Sequence, residues 1–235
     1  MNRLLRTLGL DVRLQARNSL YHIGVGLAVV LGVAGRSLFP HEAQKVALPA
    51  FFLLFLGGST YIFVAGMILL EKGEGTLDAL KVTPLRLREY VGSKVATLSA
   101  FAMVESVIVL LIAHGPRGFN PVALLVGIGA MSLLYTLIGV AQVARYDSVT
   151  DFLIPWAMVV MTVLQLPVFP LLGIWSSPIW YAIPTQAPLL IIEAAFRPIR
   201  AWEWVYAIGY GSLAIAASYR LARSQVARHL AMGRR

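Results

Sequence analysis

Six stretches of this chain, at about 20–39, 48–70, 92–113, 121–143, 152–173 and 203–222, are long and apolar. Each approaches or exceeds the roughly 20 residues needed to cross about 30 Å of hydrocarbon as a helix. Apolar residues make up 58% of the 235 and charged residues only 13%, about half the charge of an ordinary soluble domain. A fold so poor in polar surface cannot face water all round, so lipid must be its outer solvent. A soluble globular protein is excluded. The expected fold is an all-α membrane protein of six transmembrane helices, built as a single domain over 1–235.

An even number of spans puts both termini on one side, and positive charge decides which. With both termini inside, the inner segments hold Arg3, Arg6, Arg13, Arg17, Lys72, Lys81, Arg86, Arg88, Lys94, Arg145, Arg220, Arg223, Arg228, Arg234 and Arg235. Arg36, Lys45, Arg117, Arg197 and Arg200 are left outside, which is fifteen against five. The expectation is a multi-pass protein of the cytoplasmic membrane with both termini cytoplasmic and a basic tail over 223–235. The net charge of +9 follows this topology, and no nucleic acid is expected as a partner.

Residues 1–18 lack the short apolar core and Ala-x-Ala site of a signal peptide. Leu4, Leu5, Leu8 and Val12 recur at helical spacing with Arg6, Arg13 and Arg17 directed elsewhere. Such a helix lies along the inner leaflet, its arginines toward anionic headgroups, with membrane lipids as its partner. From the end of the fifth span to the start of the sixth, Pro167, Pro170, Pro178, Pro184, Pro188 and Pro198 alternate with Trp175, Trp180, Tyr181 and Trp202. Proline breaks helices and Trp and Tyr favour the interface, yet Leu189–Phe196 is apolar again. The expectation over 174–200 is an external re-entrant helix pair.

The most informative segment is 71–94. Gly73 and Gly75 allow the chain to turn out of the membrane, and Thr76 can cap a helix. Leu77 and Leu80 share a face of that helix, with Asp78 near its positive end. Pro84 ends it and pushes Thr83 toward extended geometry. A short amphipathic helix mounted rigidly on two spans can pass a push from a soluble partner to the membrane helices.

The pattern Glu-x-x-x-Gly-Thr-Leu-x-x-Leu-x-x-Thr-Pro-Leu-x-x-x-Glu-Tyr-x-x-x-Lys, carried by Glu71, Gly75, Thr76, Leu77, Leu80, Thr83, Pro84, Leu85, Glu89, Tyr90 and Lys94, resembles the cytoplasmic signature of ABC-2 type permeases. The basic leader, the six spans and the external re-entrant pair are similar too. The phrase through Lys94 is most similar to small bacterial drug-export permeases for fluoroquinolones. The resemblance implies that this segment is the coupling helix, which docks on a separate cytoplasmic ABC ATPase present in two copies. It also implies a second permease, either another copy or a paralogue, and export of an amphipathic or hydrophobic compound. No Gly-x-x-x-x-Gly-Lys-Ser/Thr loop occurs in the chain, so ATP and Mg are expected on the partner and no cofactor here.

Three further sets of residues stand out. Gly24, Ala28 and Gly32 recur every four residues and let another helix approach closely, either a second permease or a helix of the same chain. Glu105 is the carboxylate set deepest in an expected span, and burying it ionised is costly. It therefore lines a transport pathway or makes a structural hydrogen bond, with Gln142 and Gln165 as weaker polar candidates. His22, His41, His114 and His229 show no metal-ligand spacing, and no catalytic residue is expected. The competing readings are a membrane-embedded enzyme of lipid metabolism and a non-transporting scaffold. An enzyme needs clustered acids, histidines or a Ser/His pair within the spans, and Glu105 stands apart.

Overall fold

The computed structural model describes residues 3–75 and 87–229, with side chains from Arg6 to Gly75 and from Arg88 to His229. Every regular element among them is helical. The helices are α1 (Arg3–Arg17), α2 (Leu20–Leu38), α3 (His41–Gly73), α4 (Leu87–Ala113), α5 (Pro121–Val143), α6 (Val149–Val159), α7 (Val168–Leu171), α8 (Gln186–Glu193) and α9 (Ala201–His229). A π turn over Val160–Leu164 extends α6, and a 3-10 turn over Pro178–Ala182 precedes α8. Among the described residues, four helices are long and apolar enough to cross a membrane: α2, α3, α4 and α5.

Helix direction follows from which ends meet. Gly24 lies against Phe101 and Glu105, Gly32 against Ile112, and Gly35 against Ala113, so α2 and α4 run parallel. Gln44 pairs with His114 and Glu71 with Lys94, so α3 runs antiparallel to α4. Leu53 pairs with Tyr135 and Tyr61 with Gln142, which sets α5 parallel to α3. Arg145, just beyond α5, meets Gln225 near the end of α9 at 3.2 Å. The bundle therefore has two polar ends. One gathers α1, Gly73–Gly75, the start of α4, Ala144–Ser148 and the end of α9. The other gathers the α2–α3 corner, the α4–α5 loop and the start of α9.

Local sequence explains several element ends. Asn120 caps α5, its Oδ1 accepting from the Val122 and Ala123 amides at 3.0 and 3.3 Å, and Pro121 fills the first helical position, where no amide is required. Ser148 caps α6 by accepting from the Asp151 amide at 3.1 Å. Gly75 adopts φ 68°, the left-handed conformation that ends α3 where the sequence anticipated a turn. Gly73, anticipated alongside it, is still helical.

Two boundaries differ from expectation. The second span was placed at 48–70, but α3 is helical from His41 to Gly73, with Pro49 inside it. Residues 41–47, which include His41, Glu42, Gln44 and Lys45, form a helical extension, because hydropathy marks where lipid contact starts and not where hydrogen bonding does. The fifth span, expected at 152–173, is interrupted. Regular helix and π turn together cover Val149–Leu164, and the Gln165 amide reaches back five residues to the Val160 carbonyl at 3.0 Å. Pro167 and Pro170 offer no amide to continue the α-helical ladder, and Gly173 leaves α7 at φ 70°.

The segment after α7 descends along α9 and returns. Tyr206 and Tyr210 donate to the carbonyls of Tyr181 and Ala182, and Ala187 lies against Gly211. Gly211 is ten residues into α9, about 15 Å at helical rise. All eight residues of α8 are buried. The helix then climbs along α5, past Gly127, until the Ala195 carbonyl meets the Asn120 amide at 2.8 Å. A Cβ on Gly127 would lie 2.7 Å from the Ile192 amide nitrogen, so only glycine permits this approach.

Candidate functional site

Three residues of the 71–94 signature converge in a buried ion cluster. Lys94, 1% exposed, extends from α4 and donates to Asp11 Oδ1 of α1 at 2.7 Å and to Glu71 Oε1 of α3 at 2.5 Å. Tyr90, one helical turn before Lys94, donates to Glu71 Oε2 at 2.8 Å. Ser93 donates to the second Asp11 oxygen. Burying an ammonium is tolerable only where opposite charge and hydrogen bonds replace water, and here two carboxylates supply both. A second layer extends the join, with Gln15 of α1 donating to Thr97 at 2.8 Å and accepting from Tyr21 at 2.8 Å.

The cluster ties together the two chain ends that bracket residues 76–86, and adds the amphipathic N-terminal helix to them. The resemblance singled out Glu71, Tyr90 and Lys94 as coupling residues. All three are buried, and Glu71 faces inward with 4% of its surface exposed. Asp11, the fourth member, was not anticipated. It sits in a basic helix, and its partners Ser93 and Lys94 are 82 and 83 residues away. A lone acid at helical spacing from Gln15 on an otherwise basic leader was the available signal.

Glu89 lies one position earlier on α4 and is half-buried. Thr76, Leu77, Asp78, Leu80, Thr83, Pro84 and Leu85, the proposed cap, anchors and bend, lie outside the described residues. Lys72, next to Glu71, reaches across to the Ala144 carbonyl at 3.1 Å, the Tyr146 carbonyl at 2.5 Å and Asp147 Oδ1 at 3.1 Å. It fixes the α5–α6 turn to the same end of α3.

Gly24, Ala28 and Gly32, expected to meet either a second permease or a helix of the same chain, face α4 of the same chain. A Cβ on Gly24 would lie 1.9 Å from Glu105 Oε1, one on Gly32 2.8 Å from Ile112 Cβ, and Ala28 is fully buried. A surface already covered by α4 has no area left for another subunit. The bare ridge of α2 carries Ile23, Leu27, Val30 and Val33.

The three residues expected along a pathway sit at separate seams. Gln142 accepts from Tyr61 between α5 and α3, and Gln165 Nε2 donates to the Leu54 carbonyl at 3.1 Å between the π turn and α3. Glu105 lies in the α2–α4 seam, fully buried, and neither carboxylate oxygen has a hydrogen-bond partner among the described residues. No group of three or more acids or histidines among the described residues could hold a metal.

The opposite end of the bundle has its own polar arrangement. His114 Nδ1 meets Gln44 Oε1 at 3.0 Å, and its ring stacks on His41 with centroids 4.3 Å apart. Burial, then the neighbouring His41 and Lys45, hold the His114 pKa below its ordinary value of 6.5. Glu193 pairs with Arg197 one turn on. Burial nevertheless raises its carboxyl above the usual range, the Arg197 charge offsetting part of that.

Comparison with known proteins matches this chain to one family over nearly its whole length. The family model of the fluoroquinolones export permease proteins covers residues 2–234. The fluoroquinolones export permease proteins of two Mycobacterium tuberculosis strains, CDC 1551 / Oshkosh and ATCC 25618 / H37Rv, are each 32% identical over 232 residues, spanning 98% of this chain and 97% of theirs. The chain, a multi-pass helical membrane protein, thus belongs to the fluoroquinolones export permease family.

Proposed function

We propose that this chain is the membrane-spanning subunit of an ATP-binding-cassette exporter. It moves an amphipathic or hydrophobic compound, of the drug-like kind named for its relatives, out across the cytoplasmic membrane. It spans the membrane six times with both termini inside, α6 and α9 adding to the four long apolar helices. Energy comes from two copies of a separate ATPase that carries ATP and Mg, and a second permease completes the assembly.

The observation that carries this reading is the convergence of Asp11, Glu71, Tyr90 and Lys94. A loop that docks a motor transmits force only if its two ends cannot move independently. The cluster clamps α3 to α4 where the 76–86 segment leaves and re-enters, and adds α1 as a brace. The segment between becomes a lever with Leu77, Leu80 and Leu85 as apolar anchors and Thr83-Pro84 as its fixed bend. Burying one leucine side chain is worth roughly 1.5–3 kcal/mol, so a charge at one anchor is enough to weaken docking. Asp78, Lys81, Arg86 and Arg88 set register more than affinity.

Co-purification tests this. The tagged chain should bring an ATP-binding-cassette ATPase with it from native membranes, and Leu77→Asp or Leu80→Asp should lose that partner. Pro84→Gly should keep the complex while uncoupling hydrolysis from export. Normal assembly and export in both leucine variants would show that the segment is not the docking element.

A further inference from the structure

The α2–α4 seam contains a niche that pairs an acid with aromatic rings. Ser93, Thr97, Phe101 and Glu105 recur at helical spacing along one face of α4, covered by α1 and α2. The lower part of this face is fully bonded through the ion cluster and Gln15. The upper part is not. Glu105 ends the row about 12 Å from the Ala113 end of α4, at helical rise, with both oxygens unpartnered among the described residues. Its carboxylate lies over Gly24, where even a Cβ would be 1.9 Å away, so the absence of a side chain at Gly24 makes the space. Beside it over Gly24 is the Phe101 ring, against which Tyr21 packs edge-on at 4.8 Å and Phe63 tilted at 5.9 Å.

An acid left without a donor in an apolar, aromatic setting is costly to keep charged unless something cationic comes to it. Carboxylate plus aromatic faces is the chemistry that holds an organic cation. The cover over this niche is also the least anchored long helix. α2 packs mainly on α4, and it joins α1 through Ser19, a non-glycine residue in the left-handed conformation at φ 58°. The α1 side of that joint is fixed by Asp11 and Gln15 to α4, while beyond α4 the helix α2 rests only lightly on α1 and α3.

We propose that Glu105 is the counter-charge for the cationic group of the transported compound, an amphipathic organic cation that enters between α2 and α4. Phe101, Tyr21 and Phe63 form the walls that receive its apolar part. This inference rests on the exporter reading and names the substrate class.

The probe is tetraphenylphosphonium, a permanent lipophilic cation, with triphenylphosphine oxide as its neutral counterpart. Binding is measured to the full chain in nanodiscs of phosphatidylcholine. Wild type should bind the cation saturably, and Glu105→Gln should weaken that binding about tenfold or more, as loss of a desolvated charge pair requires. Glu105→Asp should restore most of it, and the neutral compound should not distinguish the three proteins. A second measurement needs no variant: dicyclohexylcarbodiimide should label Glu105 in the wild-type chain, and tetraphenylphosphonium but not the neutral compound should slow labelling. Equal cation binding by wild type and Glu105→Gln would overturn the proposal, as would labelling of Glu105 that the cation leaves unchanged. If the complex still assembles and exports in either case, the exporter reading stands and only the role of Glu105 falls.

Discussion

Lys94→Met removes the cation that, among the described residues, reaches both Asp11 and Glu71, at 2.7 and 2.5 Å. It leaves two carboxylates, at 3% and 4% exposure, facing each other across a site closed to water. Asp11 keeps Ser93 and Glu71 keeps Tyr90, and a hydroxyl donor does not replace the ammonium charge that is lost. Removing one partner of a buried ion pair costs about 3–5 kcal/mol, and two acids share this loss. The triple change Asp11→Asn, Glu71→Gln, Lys94→Met removes all charge at similar volume, and replacing a whole buried ion group costs little or even stabilises. The assay is the fraction of folded, monodisperse protein surviving a heating series, read by size-exclusion chromatography in detergent. Lys94→Met should melt well below wild type and the triple variant should recover most of the difference. If Lys94→Met melts with wild type, the cluster carries no net stability and the clamp at the base of α3 and α4 is refuted.

Other perturbations read other parts of the bundle. Gly24→Val should overpack the α2–α4 seam by about 1–3 kcal/mol, while Gly26→Val, where nothing lies within 4 Å, should be silent by the same heating assay. Asn120→Ala removes the α5 cap and should cost about 1 kcal/mol, seen as a small fall in melting temperature. The pKa of His114 is held below its ordinary 6.5, so the unfolded chain takes up a proton before the folded one does. Stability from this group is present above about pH 6.5 and falls as the pH drops below it, and His114→Gln should flatten that part of a melting-temperature profile against pH. The chain has no cysteine, so single cysteines report topology directly. Positions 147 and 223 should label only from inside, 42 and 117 only from outside.

The sequence made most of this architecture readable because lipid imposes it. Apolar length located α2, α3, α4 and α5 to within a few residues, except where Glu42 and Lys45 continue α3 as polar helix. Apolar composition could not distinguish a regular span from the broken run at Val160–Leu171. There the interruption comes from a five-residue backbone register and prolines that hydropathy scores as acceptable. The motif drew attention to Glu71, Tyr90 and Lys94, but not to their shared inward orientation. That depends on Asp11, whose closeness arises only when α1 folds back across α4. Small-residue spacing announced a close helix contact at Gly24, Ala28 and Gly32 without saying with which helix. Glu105 was conspicuous as a carboxylate in an apolar run, and its lack of partners became visible only once the neighbouring helix was in place.

ATP-driven transport in proteoliposomes holding this chain with its co-purified ATPase tests the central claim most directly. Uptake of a fluorescent amphipathic drug should require both chains and hydrolysable ATP, and should be lost in Pro84→Gly while the complex remains intact. Uptake at the same rate by this chain alone, or with ATP omitted, would contradict it.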